Sequence, residues 1–163
     1  MKIIKYVIKS GKHYSRKFLN FRITFKNKID VKYSISSASL YNYEKIENGW
    51  CKIIGLSDYI NPHKNSCRLA FIHDKYGLKV GSYVYSNGVR QMNTITTISP
   101  GKLYNIKIER TKEGYILSHS NEDITSTTFI KSPRKILPFQ FILHPYVGGK
   151  FTLDRDLLVK IYK

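Results

Sequence analysis

Apolar and polar residues alternate with a period of two in one segment of this chain after another. Phe21, Ile23 and Phe25 interleave with Arg22, Thr24 and Lys26. Ile29, Val31, Tyr33 and Ile35 interleave with Asp30, Lys32, Ser34 and Ser36. The pattern returns at Cys67, Leu69 and Phe71, and at Leu78, Val80 and Val84 with Lys79, Gly81, Tyr83 and Tyr85 opposite. It returns again at Tyr104, Ile106 and Ile108, at Phe139, Phe141 and Leu143, and at Leu157, Val159 and Ile161. Successive strand side chains point to opposite faces, so this spacing sorts residues cleanly only on a half-buried strand. Trp50 to Leu56 adds a continuous apolar run.

Turn chemistry separates these runs. Ser86-Asn87-Gly88 predicts a type I′ hairpin turn, because Asn and Gly tolerate positive φ. Ser99-Pro100-Gly101-Lys102 predicts a type II turn, with Pro presetting φ and Gly in the left-handed position. Glu113-Gly114 marks a third turn, and Pro133, Pro138, Pro145 and Gly148-Gly149 bound the last core strand. Alanine occurs only at Ala38 and Ala70, whereas β-branched and aromatic residues abound, which disfavours helices. Strands at roughly 8–12-residue spacing predict an all-β antiparallel sandwich or jelly roll. The 163 residues suit one domain, and no linker or repeat divides them.

Other classes are excluded by composition. A hydrophobic content of 42% argues against disorder. No apolar run approaches 18 residues. Met1-Lys-Ile-Ile-Lys-Tyr-Val-Ile-Lys9 carries frequent lysines and no small-residue cleavage site, so no secretory signal is expected. Cys51 and Cys67 lie in apolar runs and read as buried thiols of a reducing compartment, with a bond between neighbouring strands as the alternative. The five histidines, 13, 63, 73, 119 and 144, show no zinc spacing. No metal and no cofactor is expected.

Two stretches carry a resemblance. Trp50-Cys-Lys-Ile-Ile-Gly-Leu-Ser-Asp58 is followed by His63-Lys-Asn-Ser-Cys-Arg-Leu-Ala-Phe71. Together they resemble a concanavalin A-like jelly-roll family that pairs K-x-x-G-x-S with H-x-N-S-x-R-x-x-[FW]. Tyr83-Val-Tyr85, Leu143-His-Pro-Tyr-Val-Gly-Gly149 and Asp156-Leu-Leu-Val-Lys-Ile161 are similar as well. The family comprises uncharacterised proteins of gut bacteria and their tailed, crAss-like phages. The resemblance covers residues 45–163. Leu153-Asp154-Arg155 stands where the family tends to show Ala-Pro-His. Residues 1–44 read as basic strands without a match.

Candidate ligand contacts are few. Lys79, Tyr83 and Tyr85 fall on one strand face, where tyrosine rings can stack on sugars. Trp50 is a sugar platform if exposed, although Cys51, Ile53 and Ile54 around it predict a core position. Arg68 is expected to pair with a carboxylate, with Asn65 and Ser66 holding their loop to backbone groups. A glycosidase needs two carboxylates, and Asp154 with Asp156 is the only plausible pair. Their plainer reading is as partners of Lys and Arg at a strand start. Asp58 is expected to accept backbone N–H groups in its turn rather than bind Ca²⁺.

The formal charge is +17, and residues 1–28 hold Lys2, Lys5, Lys9, Lys12, Arg16, Lys17, Arg22, Lys26 and Lys28 with no acid. This segment is expected to engage an acidic partner through its field, with non-specific nucleic acid second. A solvated face is the plain alternative. Together with the phage-like resemblance, it gives an expectation of a non-enzymatic virion component made in the host cytoplasm. Such a component would bind neighbouring virion proteins in a symmetric assembly or homo-oligomer, away from membranes. The alternatives are a glycan-binding lectin-like domain and a glucanase-like hydrolase.

Overall fold

The computed structural model describes residues 2–15, 21–42, 49–121, 124–132, 137–149 and 151–163. Thus Arg16 and Lys17 of the basic segment, and Pro133 of the predicted turns, lie outside the described residues. The strands are β1 (Ile3–Ile8), β2 (Phe21–Thr24), β3 (Lys28–Ile35), β4 (Cys51–Ser57), β5 (Ser66–Asp74), β6 (Gly77–Ser86) and β7 (Val89–Ile98). They continue as β8 (Tyr104–Arg110), β9 (Gly114–Ser120), β10 (Thr125–Lys131), β11 (Gln140–Leu143), β12 (Tyr146–Val147) and β13 (Leu157–Tyr162). One 3₁₀ turn spans Ser37–Ser39.

Two antiparallel sheets face each other. The first runs β1-β13-β3-β8-β9-β10. The second runs β2-β11-β4-β5-β6-β7, with β12 pairing beside β11 on β4. This is the expected all-β sandwich of jelly-roll type. The inner faces are the predicted ones: Cys67, Leu69, Phe71, Val80 and Val84 meet Tyr33, Ile106, Ile108, Leu117 and Val159 in one core. Each such side chain contributes about 1.5–3 kcal/mol by leaving water. Asn87 and Gly88 take φ of 51° and 79°, and Gly101 takes 79°, as the hairpin and type II turns require.

Among the described residues, the basic N-terminal segment forms strands of the sandwich and no separate arm. β1 is the edge of the first sheet, β2 the edge of the second, and β3 lies inside the first between β13 and β8. Lys9 pairs with Asp156 at 2.6 Å and Lys28 with Asp30 at 3.6 Å. Lys2 exchanges backbone hydrogen bonds with Lys163, closing the chain's two ends onto each other. The apolar side of β2 points away from the core. Ile23 pairs with Phe141 and Phe21 with Leu143 on the outer face, and Phe21 meets Phe141 edge-on at 5.4 Å.

Asp58 is fully buried and joins the sheets. It accepts from Arg110 Nε at 3.0 Å and from Arg110 Nη2 at 2.8 Å, while Arg110 Nη1 donates to Gly114 O at 2.9 Å. The expectation of a carboxylate satisfied by its own turn therefore gives way to a bidentate ion pair across the sandwich. Cys51 and Cys67 are buried and free. Burial pushes the Cys51 thiol up to about 12 and the Cys67 thiol further.

His119 is buried against Tyr104, with ring centres 5.5 Å apart, and its Nε2 shares a 2.8 Å hydrogen bond with the Tyr33 hydroxyl. Burial lowers its pKa from 6.5 to about 4. The unfolded chain therefore binds a proton that the native state refuses between those values, and stability falls as pH drops from 6.5 to 4. Acid-induced unfolding followed by circular dichroism should show this slope, and His119→Gln should flatten it.

Candidate functional site

The outer face of the second sheet carries a cleft of about 320 Å³. Strand parity places its side chains. Tyr83 and Tyr85 point outward from β6 because Val80 and Val84 point inward, and Arg68 lies directly across from Tyr83 on β5. Tyr146 on β12 pairs with Lys52 on β4. A β-bulge between Lys52 and Ile54 re-phases β4, so that Lys52 and Gly55 face the cleft while Ile54 and Leu56 face the core. Phe21 and Leu143 form one wall, and His63 with Pro62 another.

Two buried cations sit on the floor. Arg68 is 8% exposed, donates from Nη2 to His144 O at 3.2 Å, and has a buried Nε without a hydrogen-bond partner. Among the described residues it has no carboxylate partner, contrary to the sequence expectation. Burial lowers its pKa from 12.5 to about 10. Lys52 is 6% exposed, and its Nζ donates to Trp50 O at 2.8 Å. That ammonium stands 4.3 Å from the Tyr83 ring centre and 6.0 Å from that of Tyr146. Burial, then the charge of Arg68, lowers the Lys52 pKa from 10.5 to about 8, with Arg90 adding a smaller effect. Among the described residues no aspartate or glutamate lines the cleft.

The rings around these cations are held in place. Tyr83 and Tyr85 meet edge-on at 5.9 Å, and His63 meets Tyr85 at 4.7 Å. Ser66 Oγ donates to Pro62 O at 2.6 Å, and Asn65 Oδ1 accepts from Asn87 N at 2.8 Å, so this loop is tied to the β6–β7 hairpin as expected.

Of the sequence candidates, Tyr83 and Tyr85 come together here. Lys79 does not line the cleft: its Nζ donates to Asp74 at 2.7 Å and lies over the Tyr76 ring. Trp50 is half-buried rather than core, because it alternates with inward Cys51. Its ring reaches Gly81, where a Cβ would come within 3.0 Å of the indole and 2.4 Å of Asn93 O. Gly81 thus leaves room for the indole against the backbone of β6. Gly81→Ala should cost about 1–3 kcal/mol. It should also change the fluorescence of the sole tryptophan, read with thermal unfolding of the same sample.

Asp154 and Asp156 contribute nothing to the cleft. Asp156 accepts from Lys9 Nζ and Ser10 N, and Asp154 lies 3.7 Å from Arg155. Sequence reasoning missed Lys52 and Tyr146. The lysine inside the apolar run from Trp50 to Leu56 was the available signal for the first.

No family model matches the chain, and no curated protein does. Solved structures do. The alginate lyase of Klebsiella pneumoniae is similar with TM-score 0.59 and 12% identity, covering 83% of this chain, which spans 57% of that one. The Chlorella virus alginate lyase vAL-1 gives TM-score 0.59 and 8% identity, over 98% of this chain and 82% of the enzyme. A Saccharomyces cerevisiae protein of unknown function gives 0.63 and 13%, over 99% and 85%. These TM-scores show a shared β-sandwich jelly-roll fold, consistent with the concanavalin-like class. Alginate lyases recur among the similar structures, alongside a GH43 protein. They overturn the expectation of a non-enzymatic virion component: the similar structures that are named for an activity here are alginate lyases and a GH43 protein. The expected absence of enzymatic activity is corrected with it.

Proposed function

We propose that the outer-face cleft binds an anionic polysaccharide, a polyuronate, and shortens it by β-elimination. The observation that carries this reading is Arg68, a buried guanidinium on the cleft floor with an unpartnered Nε and no carboxylate partner among the described residues. A buried charge without a counter-charge is costly, and an anionic substrate group removes that cost. A glycosidase would need two carboxylates flanking the scissile bond, which the described lining does not offer. The chemistry that needs none is proton abstraction beside a carboxylate.

In that reaction Arg68 and Lys52 neutralise the uronate carboxylate, which acidifies the adjacent C5–H. Tyr83 and Tyr146 flank the Lys52 ammonium, which places two phenol groups beside the bound uronate. One tyrosine oxygen takes the C5 proton, the bond from C4 to the glycosidic oxygen breaks, and a C4–C5 double bond forms. The departing oxygen takes a proton from the other tyrosine. No water is consumed.

Incubation with alginate or polygalacturonate tests the reading through the ultraviolet absorbance of the new double bond and the appearance of shorter chains. Absence of both products on every polyuronate overturns it, as does cleavage confined to neutral xylan. The affinity should also depend on pH. Lys52 loses its charge as pH rises through about 8, so oligouronate binding should weaken from pH 7 to pH 9. A titration of Trp50 fluorescence measures this.

A further inference from the structure

We propose that Lys52 is a nucleophilic amine that captures small carbonyl compounds bearing an anionic group, such as 2-oxo acids, as a reversible imine, with Arg68 holding the anionic group. The geometry supplies each part. Nζ lies in the cleft, not in the core, with one face against the Tyr83 ring and a hydrogen bond to Trp50 O. On the other side stands Gly148, where a Cβ would come within 2.7 Å of Nζ, so a side chain there would occupy the space beside the amine. Lys52 pairs with Ala70, and Arg68 is two residues along β5 on the same face. That diagonal spacing is about 7–8 Å between Cα atoms, within reach of two long side chains and a small ligand between them.

Among the described residues no carboxylate lines the cleft around Nζ. Arg68 on β5 and Arg90 on β7 repel its proton, Tyr83 on β6 and Tyr146 on β12 present ring faces, and Cys51 on its own strand is a buried thiol. A desolvated lysine beside another cation is the arrangement that keeps an amine neutral enough to attack. At pH 7.5 its free-amine fraction is on the order of 10²-fold above that of an ordinary lysine. The Nζ lone pair adds to the carbonyl carbon, and the carbonyl oxygen leaves as water with the two amine protons. No oxidant or reductant enters. The inference does not depend on the elimination reading, because a chain inert towards polyuronates would still form the imine.

Glyoxylate with cyanoborohydride tests it, since hydride reduces the imine to a carboxymethyl-lysine that peptide mapping locates. Lys52 should label about tenfold or more faster than exposed Lys75 and Lys102 at pH 7.5. Labelling no faster than those lysines overturns the proposal. Propanal, which lacks the anion, should label Lys52 more slowly than glyoxylate, and Arg68→Gln, its fold checked by circular dichroism, should remove that difference. Equal rates for the two aldehydes in the unaltered protein overturn the role of Arg68.

Discussion

Asp58→Ala should cost the fold about 3–5 kcal/mol, the cost of leaving one member of a buried ion pair without its partner. For a domain of this size the loss corresponds to roughly 6–20 °C in Tm. Arg110 would retain its bonds to Thr111 O and Gly114 O, but neither carbonyl carries the charge that Asp58 supplies. Its guanidinium also lies over the Tyr115 ring at 4.6 Å, inside the core, so water cannot replace the carboxylate. The pair links the end of β4 in one sheet to the end of β8 in the other, and its loss should loosen the sandwich there. A second variant separates charge from packing. Asp58→Leu combined with Arg110→Met should recover most of the loss, since an apolar pair removes both desolvation penalties. Thermal unfolding of both variants decides. If Asp58→Ala costs less than about 1 kcal/mol, the pair is not buried as described.

How much of this was legible in the sequence depended on which face each strand buries. β3, β5, β6, β8 and β13 announce themselves because one side of each packs in the core and the other does not. β7 and β10 are edge strands: β7 is exposed along nearly its whole length, and the side of β10 that turns inward is largely Ser126 and Thr128, so no apolar alternation marks either in the sequence. β1 hides behind lysines that break period two, although Tyr6 and Ile8 are buried. The cleft followed the same logic. Tyr83 and Tyr85 were found by parity alone. Lys52 was not, because without the bulge it shares a face with Ile54 and Leu56 and reads as part of a core run. Arg68 is legible as a site residue, but its lack of a carboxylate is not, because pairing depends on which strands the fold brings beside β5. Asp58, the carboxylate that does meet an arginine, lies 52 residues from Arg110, a pairing that only the closed sandwich brings about.

Arg68→Met should make the protein more stable and the cleft inert. Burial without a counter-charge lowers the Arg68 pKa to about 10, which corresponds to a cost on the order of 3 kcal/mol at neutral pH. Methionine keeps the aliphatic part of the packing and removes the charge. The gain is offset by one lost hydrogen bond to His144 O, worth about 1 kcal/mol. A net gain of about 1–2 kcal/mol should appear as a higher urea midpoint with an unchanged m value. Lys52 should respond in the same direction, because the guanidinium is the leading charge that lowers its pKa. In Arg68→Met the amine should hold its proton to higher pH. Turnover of a polyuronate should fall by about 10²–10³, the usual consequence of removing one positioned donor from a site that stabilises developing charge. Stability and function would then move in opposite directions at one residue, as expected where a charge is retained for its ligand and not for the fold. A variant that lost both would mean that Arg68 holds the sheet together, and the cleft would need another anion-binding group.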